Sequence, residues 1–431
     1  MGNMVNDGND VYKVFTPTSP AILSFVERDN QVNNDLVDAL RIPGMQIVLY
    51  GSSGAGKTTL LINKLNQLYE NHIVTRCMVG MTMDQIILDG FDQLNCYYTN
   101  EVSKSEAYSI SSELKVMYAG LKSTIEKQFQ ETITRILPIQ LTAQRLSDFF
   151  GNTKCCWVLE DFHKIVEDEK KKLSQVMKIF MDSSISYPEL KIIAIGAVNS
   201  ARDVVKYDSE MKQRVSEIFV PLMSHEEIAK IIRNGEQLLN INFKPNVTQN
   251  IIKSSSGLPS VCHHLCLNMC VNKGIYKTLK ESRHLNEDDF NHAVEKYVKS
   301  SSDTLKEIFE KAVKQDRVRR YNNPQIILKA MLEIEKDELT HREILNQIRK
   351  KEPKYPTGNL TTYLKQLQTS ERGEILRFDK NAGRYSFSNP FVKAYTQFIL
   401  SKKISSRWSE LESILKHIAS LEMKVTVPLL K

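Results

Sequence analysis

The chain has 431 residues, which at roughly 100 to 200 residues per domain corresponds to about three folding units. Hydrophobic residues make up 41% of the chain and charged residues 25%, with only 17 Gly and 13 Pro, so the composition excludes fibrous, collagen-like and disordered proteins. Lys and Arg total 58 against 51 Asp and Glu, and the net charge of +7 is compatible with a nucleic-acid partner without establishing one.

Two features of the sequence indicate the cellular compartment of the protein. The amino-terminal residues lack the basic and then apolar pattern of a secretory signal, and no apolar run approaches the ~20 residues that a bilayer span needs. The seven cysteines include no CxxC pair, which is typical of reduced thiols in a cytosol. We therefore expect a soluble, cytoplasmic protein with no membrane partner.

Taken in chain order, the first predicted elements are an arm, a strand, a glycine-rich loop and a helix. Residues 1–44 are polar and turn-rich and end in a helical pattern, and the short apolar run 45–50 is the candidate first strand. Two further short apolar runs, 154–161 and 191–199, are typical of parallel strands buried on both faces. The segments between the runs, including an inserted stretch at about 97–135, are predicted to be helical.

The remainder of the chain has a different pattern. Residues 223–318 contain several helical patterns and no further strand, and we interpret them as a helical lid. Residues 319–400 have the order helix, helix, helix, hairpin that is typical of a winged helix. Thr340, with Glu343 three residues later, has capping-box spacing at the start of the second of these helices. Residues 401–431 are predicted to form one more helix and a tail.

The predicted domains are therefore an arm (1–44), an α/β core with a parallel sheet (45–222), a lid (223–318), a winged helix (319–400) and a tail (401–431).

The glycine-rich loop is the strongest functional signal. The sequence GSSGAGKT, from Gly51 to Thr58, matches the phosphate-binding pattern GxxxxGK[ST] between a predicted strand and a predicted helix. Backbone N–H groups of such a loop and the helix amino terminus surround phosphates, the Lys57 ammonium reaches the β and γ phosphates, and the Thr58 hydroxyl binds magnesium. The predicted contacts to ATP or ADP are Gly51, Ser52, Ser53, Gly54, Ala55, Gly56, Lys57, Thr58 and Thr59.

Two adjacent acids end the second apolar run. A phosphate-binding loop needs a carboxylate on a neighbouring strand to hold Mg²⁺ and usually a second one to activate water. Glu160 occupies the usual magnesium-side position and Asp161 the usual position of the catalytic base, which inverts the common order of Asp before Glu. The alternative is that both acids cap the following helix.

Two further polar residues are candidates for catalysis. Asn199 ends the third apolar run, where it can contact the γ phosphate or the attacking water, although an ordinary turn asparagine is the alternative. Arg214 precedes the return strand, where an arginine can stabilise transition-state charge in its own or a neighbouring subunit, although an ordinary surface arginine is equally consistent with the pattern.

These motifs together resemble the AAA+ and STAND branches of P-loop ATPases. The matching segments are FVER (Phe25–Arg28), GSSGAGKT, VLED, the strand ending at Asn199, Arg214 and GLP (Gly257–Pro259). The resemblance covers about residues 20 to 275, and it extends to about residue 400 when the winged helix is included. Within it, the layout of the chain is similar to that of archaeal origin-recognition initiators and prokaryotic STAND ATPases.

The resemblance implies roles for several residues. It places Arg28 and the helical lid around the adenine and ribose, makes Asn199 the sensor 1 residue and puts Arg214 at the arginine-finger position. The GLP segment is similar to the GxP of STAND proteins, in which the proline, here Pro259, packs on adenine. The lid helix lacks the sensor 2 arginine of most AAA+ motors, which favours a nucleotide-gated switch over a processive motor.

The lid contains two further candidate features. Cys262, Cys266 and Cys270 recur every four residues on one helix face, and packing of small thiols against the core explains this spacing better than a metal site does. His263 or His264 could replace the absent arginine, but a core or surface histidine is the expected interpretation.

The winged helix has two interpretations. In the first, its third helix enters the major groove of double-stranded DNA and the hairpin contacts the backbone. The candidate contacts are Lys350, Lys351, Asn359, Thr361, Lys365, Lys380 and Arg384. In the second, the domain is an internal lock that holds the ADP state closed, as the resemblance to STAND proteins implies.

We therefore expect a slow Mg²⁺-dependent ATPase that acts as a switch, either as a homo-oligomer or with a separate effector protein. Fold analogy suggests a prokaryotic defence or mobile-element system. The alternative is an initiator-like or loader-like DNA-binding protein that uses ATP mainly as a clamping ligand.

Overall fold

The computed structural model describes residues 8–28, 30–68, 71–104, 142–197, 209–300, 303–314, 320–334, 336–379 and 382–400. The chain divides into two compact units. Residues 27–221 form one of them, which we call the core unit, and residues 8–26 together with 222–400 belong to the other, the lid-wing unit. The chain therefore passes twice from one unit to the other.

A parallel sheet with the strand order β2-β3-β4-β1-β5 forms the centre of the core unit. Its strands are β1 (Gln46–Tyr50), β2 (His72–Arg76), β3 (Cys156–Glu160), β4 (Ile192–Gly196) and β5 (Val215–Phe219). The three apolar runs of the sequence are β1, β3 and β4, so the prediction of buried parallel strands is confirmed. Strand β2 has His and Arg at its ends and lies at the sheet edge, which is why no apolar run indicated it.

Helices cover the sheet of the core unit. They are α2 (Asn30–Arg41), α3 (Lys57–Leu68), α4 (Met83–Lys104), α5 (Ala143–Asn152) and α6 (Glu167–Ser183). Trp157 of β3 lies between Phe150 and Phe180, with ring centroids 5.3 and 5.8 Å away, and its indole N–H donates to Thr75 Oγ1 at 3.0 Å. Of the predicted inserted helices, residues 97–104 are the last part of α4, and the rest lies outside the described residues.

The lid part of the second unit is mainly helical. Its helices are α1 (Val11–Val14), α7 (His225–Leu239), α8 (Pro245–Ser255), α9 (Pro259–Asn272), α10 (Glu287–Ser300) and α11 (Asp303–Val313). The expectation that no strand follows residue 222 before the winged helix is wrong, because β6 (Ile241–Phe243) pairs in parallel with β7 (Arg283–Leu285). Strands of three residues are too short to produce a periodic pattern, and their pairing joins segments that are distant in sequence.

The last described segment has the predicted winged-helix order. Its elements are α12 (Asn323–Glu333), β8 (Leu339–Thr340), α13 (His341–Lys351), α14 (Thr357–Gln366), β9 (Leu376–Asp379), β10 (Arg384–Phe387) and α15 (Pro390–Leu400). The strands form an antiparallel sheet in the order β8-β10-β9. The capping box is confirmed, since Thr340 Oγ1 accepts from the Glu343 N–H at 3.3 Å and Glu343 Oε2 accepts from the Thr340 N–H at 2.8 Å. The predicted tail, 401–431, lies outside the described residues.

Lid and winged helix share one hydrophobic core. Helix α15 packs against α8 and α10, and the ring of Phe398 lies 5.2 Å from that of Tyr297, centroid to centroid. The amino-terminal segment joins the same core through Val11, Val14 and Phe15, all fully buried. None of the helices that the structure describes is long and apolar enough to cross a membrane.

Candidate active site

The glycine-rich loop connects β1 to α3 with a backbone that only glycine adopts easily. Gly51, Gly54 and Gly56 have φ values of 142°, 77° and 86°, which disfavour residues with a Cβ atom. A Cβ atom on Gly51 would also lie 2.3 Å from the carbonyl oxygen of Val220. Because α3 begins at Lys57, the final amides of the loop lie at a helix amino terminus, which favours anions.

The Lys57 ammonium lies inside this loop. Its Nζ donates to the carbonyl oxygens of Gly51 at 3.0 Å and Ser52 at 2.8 Å, and the residue is 8% exposed. Burial lowers the pKa of Lys57 to about 8, and the charge of Asp161 opposes that shift. The Lys57 ammonium therefore bonds to neutral carbonyl oxygens of the loop. The charged oxygens of a phosphate are stronger acceptors for it.

The two predicted magnesium ligands lie next to each other. Thr58 Oγ1 donates to Glu160 Oε1 at 2.8 Å, although β4 lies between β1, which precedes the loop, and β3, which ends at Glu160. The second carboxylate oxygen of Glu160 accepts from Arg76 Nε at 3.3 Å. A hydroxyl and a carboxylate at hydrogen-bonding distance are the oxygen ligands that Mg²⁺ prefers, so these residues fit that ion.

The second acid has an unusual backbone. Asp161 follows β3 directly and has φ 60° and ψ 31°, a left-handed conformation that is uncommon for a residue with a side chain. It precedes a short 3-10 turn, Phe162–Lys164, which its side chain does not cap, so the helix-cap alternative does not hold for Asp161. Its carboxylate instead accepts from Lys164 Nζ at 2.6 Å.

Arg28 contacts the backbone of the phosphate-binding loop. Although it lies just before α2, its guanidinium is almost fully buried and donates to the carbonyl oxygens of Ala55 at 3.1 Å and Pro221 at 2.7 Å. The resemblance assigned this residue to the nucleotide. The structure places its guanidinium on the backbone of the phosphate-binding loop and of the segment after β5.

The structure describes two of the three remaining predicted site residues. Asn199 lies outside the described residues. Arg214 precedes β5, is exposed, and pairs with Asp182 at 3.2 Å. Pro259 is at the first turn of α9 in the lid-wing unit, after Gly257, which has φ 74°.

The lid histidine and cysteines are packing residues. His263 is almost fully buried, its Nδ1 accepts from the Thr16 N–H at 3.2 Å, and burial lowers its pKa to about 4. The three thiols of α9 are fully buried, and burial raises the pKa of Cys270 to about 12. Among the residues that the structure describes, no group of three or more His, Cys, Asp or Glu is placed to hold a metal ion. The burial of His263 and of the three thiols supports the packing interpretation.

Several DNA-contact candidates of the winged helix have intramolecular partners. Lys351 pairs with Glu333, and Lys350 Nζ donates to Gln347 Oε1 at 2.9 Å. Arg384 lies 3.7 Å from Glu338.

The candidates on α14 differ in exposure. Lys365 is exposed, and Thr361 Oγ1 donates to the Thr357 carbonyl at 3.2 Å. Asn359 is half-buried and its amide donates to Asn323 Oδ1 at 3.2 Å, within the domain. Lys380 lies outside the described residues.

Sequence reasoning missed three residues that lie near the acid pair. Arg76, His163 and Lys164 flank the acid pair, the first from the end of β2 and the others from the 3-10 turn. Only the position of each next to a strand end could have indicated them, and β2 itself was not located from the sequence.

No protein-family model and no curated protein matches the chain. Among solved structures, a Walker-type ATPase of Pyrococcus abyssi is 15% identical, with a TM-score of 0.49, over 87% of this chain and 100% of that one. Cdc6p from Pyrobaculum aerophilum is 13% identical, with a TM-score of 0.42, over 91% of this chain and 98% of its own. The ORC1 protein of Aeropyrum pernix, solved in complex with DNA, is 10% identical, with a TM-score of 0.45, over 93% and 98%.

Proposed function

We propose that this protein binds Mg–ATP at the carboxyl edge of its core-unit sheet, hydrolyses it slowly to ADP and phosphate, and acts as a nucleotide-dependent switch. One observation carries the proposal. The Lys57 ammonium lies inside a glycine loop, beside a hydroxyl and a carboxylate, Thr58 and Glu160, that are 2.8 Å apart. A positive charge, oriented amides and oxygen ligands for a divalent cation are the groups that phosphoryl transfer requires.

Each residue of the loop has a role in this proposal. The loop amides bind the β phosphate, and Lys57 exchanges its two carbonyl partners for phosphate oxygens, which are stronger acceptors because they are charged. Thr58 and Glu160 hold Mg²⁺, which when bound neutralises charge on the phosphate oxygens. Arg28 stabilises the loop conformation through its hydrogen bond to the Ala55 carbonyl oxygen.

Hydrolysis then needs a base. The proposed base, which would accept a proton from the attacking water, is Asp161, because it follows the proposed magnesium ligand Glu160 and interacts electrostatically with Lys57. Asn199 would orient that water, and Arg214 would stabilise charge on the transferred group in its own or a neighbouring subunit.

Nucleotide binding and turnover of three variants test the proposal. We expect Lys57→Ala to weaken binding of a fluorescent ATP analogue more than about 100-fold, since it removes a charged partner of the phosphates. Asp161→Asn should bind ATP like wild type while kcat falls about 100-fold or more. Lys171→Ala, on the exposed face of α6, is the matched control and should change neither quantity. Hydrolysis retained in Lys57→Ala would refute the proposal.

A second candidate function, DNA binding by the winged helix, is favoured by the distribution of charge. Residues 319–400 contain 15 Lys and Arg against 9 Asp and Glu, a net +6, which is most of the +7 of the whole chain. Such a concentration of positive charge is typical of a nucleic-acid contact surface. In this alternative, the protein is an initiator-like or loader-like DNA-binding protein, and ATP is mainly a clamping ligand.

A salt titration of duplex DNA binding separates the alternatives. If the winged helix contacts phosphates, Lys350→Glu combined with Lys365→Glu should weaken binding at least tenfold and reduce its dependence on salt. Lys171→Glu combined with Lys172→Glu, on the exposed face of α6 in the core unit, is the control of equal charge change. No binding at low salt, with or without ATP, would leave the winged helix as an internal lock, consistent with its packing on the lid.

In this proposal the bound nucleotide controls assembly of the protein, either with further copies of itself or with a separate effector protein. The setting would be a prokaryotic defence or mobile-element system. Mass measurement of the purified protein with ADP, with ATP and without nucleotide tests this part. A mass that does not change with nucleotide, and no co-purifying chain, would contradict it.

A further inference from the structure

We propose that His163 is a positioning residue that keeps Asp161 in its left-handed backbone conformation by accepting a hydrogen bond from the Ala197 N–H. The inference rests on the proposed ATP hydrolysis and extends it to a residue outside the phosphate-binding motif. The 3-10 turn Phe162–Lys164, which follows Asp161, is attached to the end of β4 by two separate contacts.

The first contact is made by an aromatic ring. Phe162 is fully buried, and its ring packs against Gly196, the last residue of β4. A Cβ atom on Gly196 would lie 2.6 Å from Phe162 Cε1, so only glycine allows the turn to approach the strand this closely. This contact fixes the distance between the turn and β4, but an apolar contact does not fix the direction of the backbone.

The second contact is directional. Ala197, the first residue after β4, donates its N–H to His163 Nδ1 at 3.2 Å. Nδ1 can accept only when it carries no proton, so the ring is neutral with its proton on Nε2. Burial lowers the pKa of His163, which favours this form. The bond ties the turn to the backbone of the neighbouring strand.

Asp161 needs such an anchor because its backbone conformation is unfavourable. The left-handed region is less favourable for a residue with a side chain, even for Asp, which tolerates it better than most, so contacts on both sides stabilise it. Strand β3 holds the preceding residue, Glu160, by its pairing with β2 and β4. The turn holds the following side. The exposed ion pair of Asp161 with Lys164 contributes little to this, because solvent screens it.

The position of the acceptor atom gives a sharp test. Asn at position 163 places its carbonyl oxygen where Nδ1 lies, Gln places it one bond farther out, and Phe keeps the ring without an acceptor. We expect His163→Phe and His163→Gln to lower kcat about tenfold or more, since displacement of a catalytic group by about 1 Å can cost 100-fold. His163→Asn should stay within about twofold of wild type.

Binding and epistasis separate positioning from a general loss of structure. The dissociation constant of a non-hydrolysable ATP analogue should remain within about twofold of wild type in all three variants, and their melting temperatures should agree with one another. In an Asp161→Asn background, His163→Phe should not lower kcat further, because the group that it positions is already absent.

The outcomes are distinct for the two proposals. Equal kcat in all variants, equal losses in the Asn and Phe variants, or a parallel loss of nucleotide affinity would overturn the role of His163 while the ATPase proposal stands. A wild-type protein that binds ATP without hydrolysing it would overturn the hydrolysis proposal and this inference together.

Discussion

The hydroxyl of Thr58 donates to the carboxylate of Glu160 over 2.8 Å, and this bond joins α3 to the end of β3 across the intervening strand β4. Both oxygens therefore face one point at the carboxyl edge of the sheet. Because divalent cations bind charged oxygen more tightly than neutral oxygen, the charge of Glu160 should determine how strongly Mg²⁺ assists nucleotide binding.

Replacement of the carboxylate by an amide isolates this charge. Glu160→Gln keeps an oxygen that can accept from Thr58, so the fold should be retained, but it removes the negative charge. We expect the ratio of ATP affinity with Mg²⁺ to that with EDTA to fall about tenfold. Titration of a fluorescent analogue in both buffers measures it, with Glu167→Gln on α6 as control. An unchanged ratio would show that Glu160 is not a magnesium ligand.

Arg76 should have the opposite effect. Its Nε lies 3.3 Å from the second oxygen of Glu160, and its side chain is 83% exposed. A cation at this position competes with Mg²⁺ for the same carboxylate, but solvent screening keeps the effect small. We expect Arg76→Gln to lower the Mg²⁺ concentration for half-maximal ATP binding about twofold to fivefold. A higher Mg²⁺ requirement in this variant would mean that Arg76 assists the ion instead.

The parts of the site that the sequence predicted are those encoded by contiguous residues. The loop from Gly51 to Thr58 specifies its own backbone through glycines and directly follows an apolar run, so the motif and its context lie in one short stretch of chain. Glu160 and Asp161 end another apolar run. In each case the residues that identify the element are also the predicted site residues.

The parts that could not be predicted depend on pairing between distant segments. Arg76 reaches Glu160 only because β2 pairs with β3, and β2 has no apolar run. His163 receives its bond from Ala197, 34 residues later. Strands β6 and β7 are three residues long and form only where the lid brings them together. Periodicity contains no information about such contacts.

A buried lysine outside the site should make stability depend on pH. Lys191 is fully buried before β4, and its ammonium donates to the carbonyl oxygens of Ile42 and, at 3.3 Å, Met45. Burial lowers its pKa to about 8 from an ordinary value of 10.5. Between these values the unfolded chain binds a proton that the folded chain does not, so this group makes stability rise with pH.

Comparison with Lys191→Met isolates the effect. The free energy of unfolding of wild type minus that of the variant should increase by about 1–2 kcal/mol between pH 7.5 and pH 9.5. Below pH 8 both states of wild type are protonated, so the difference should level off there. Urea unfolding at several pH values measures it. A difference that decreases with pH would contradict the sign of this shift.

The amino-terminal segment should depend on one glycine of α7. A Cβ atom on Gly235 would lie 2.2 Å from Phe15 Cζ, and Phe15 is fully buried in the lid-wing core. In a helix, Gly→Ala ordinarily stabilises by up to about 1 kcal/mol. At Gly235 the clash should outweigh this gain, because overpacking a core costs about 1–3 kcal/mol.

Two further variants make the Gly235 prediction specific. Gly358→Ala in α14, where nothing lies within 4 Å of the added Cβ, should leave stability equal or higher, whereas Gly235→Ala should lower the free energy of unfolding. Phe15→Leu in the Gly235→Ala background should recover part of the loss, because the shorter side chain gives the methyl group room. If Gly235→Ala were as stable as Gly358→Ala, Phe15 would not occupy this position against α7.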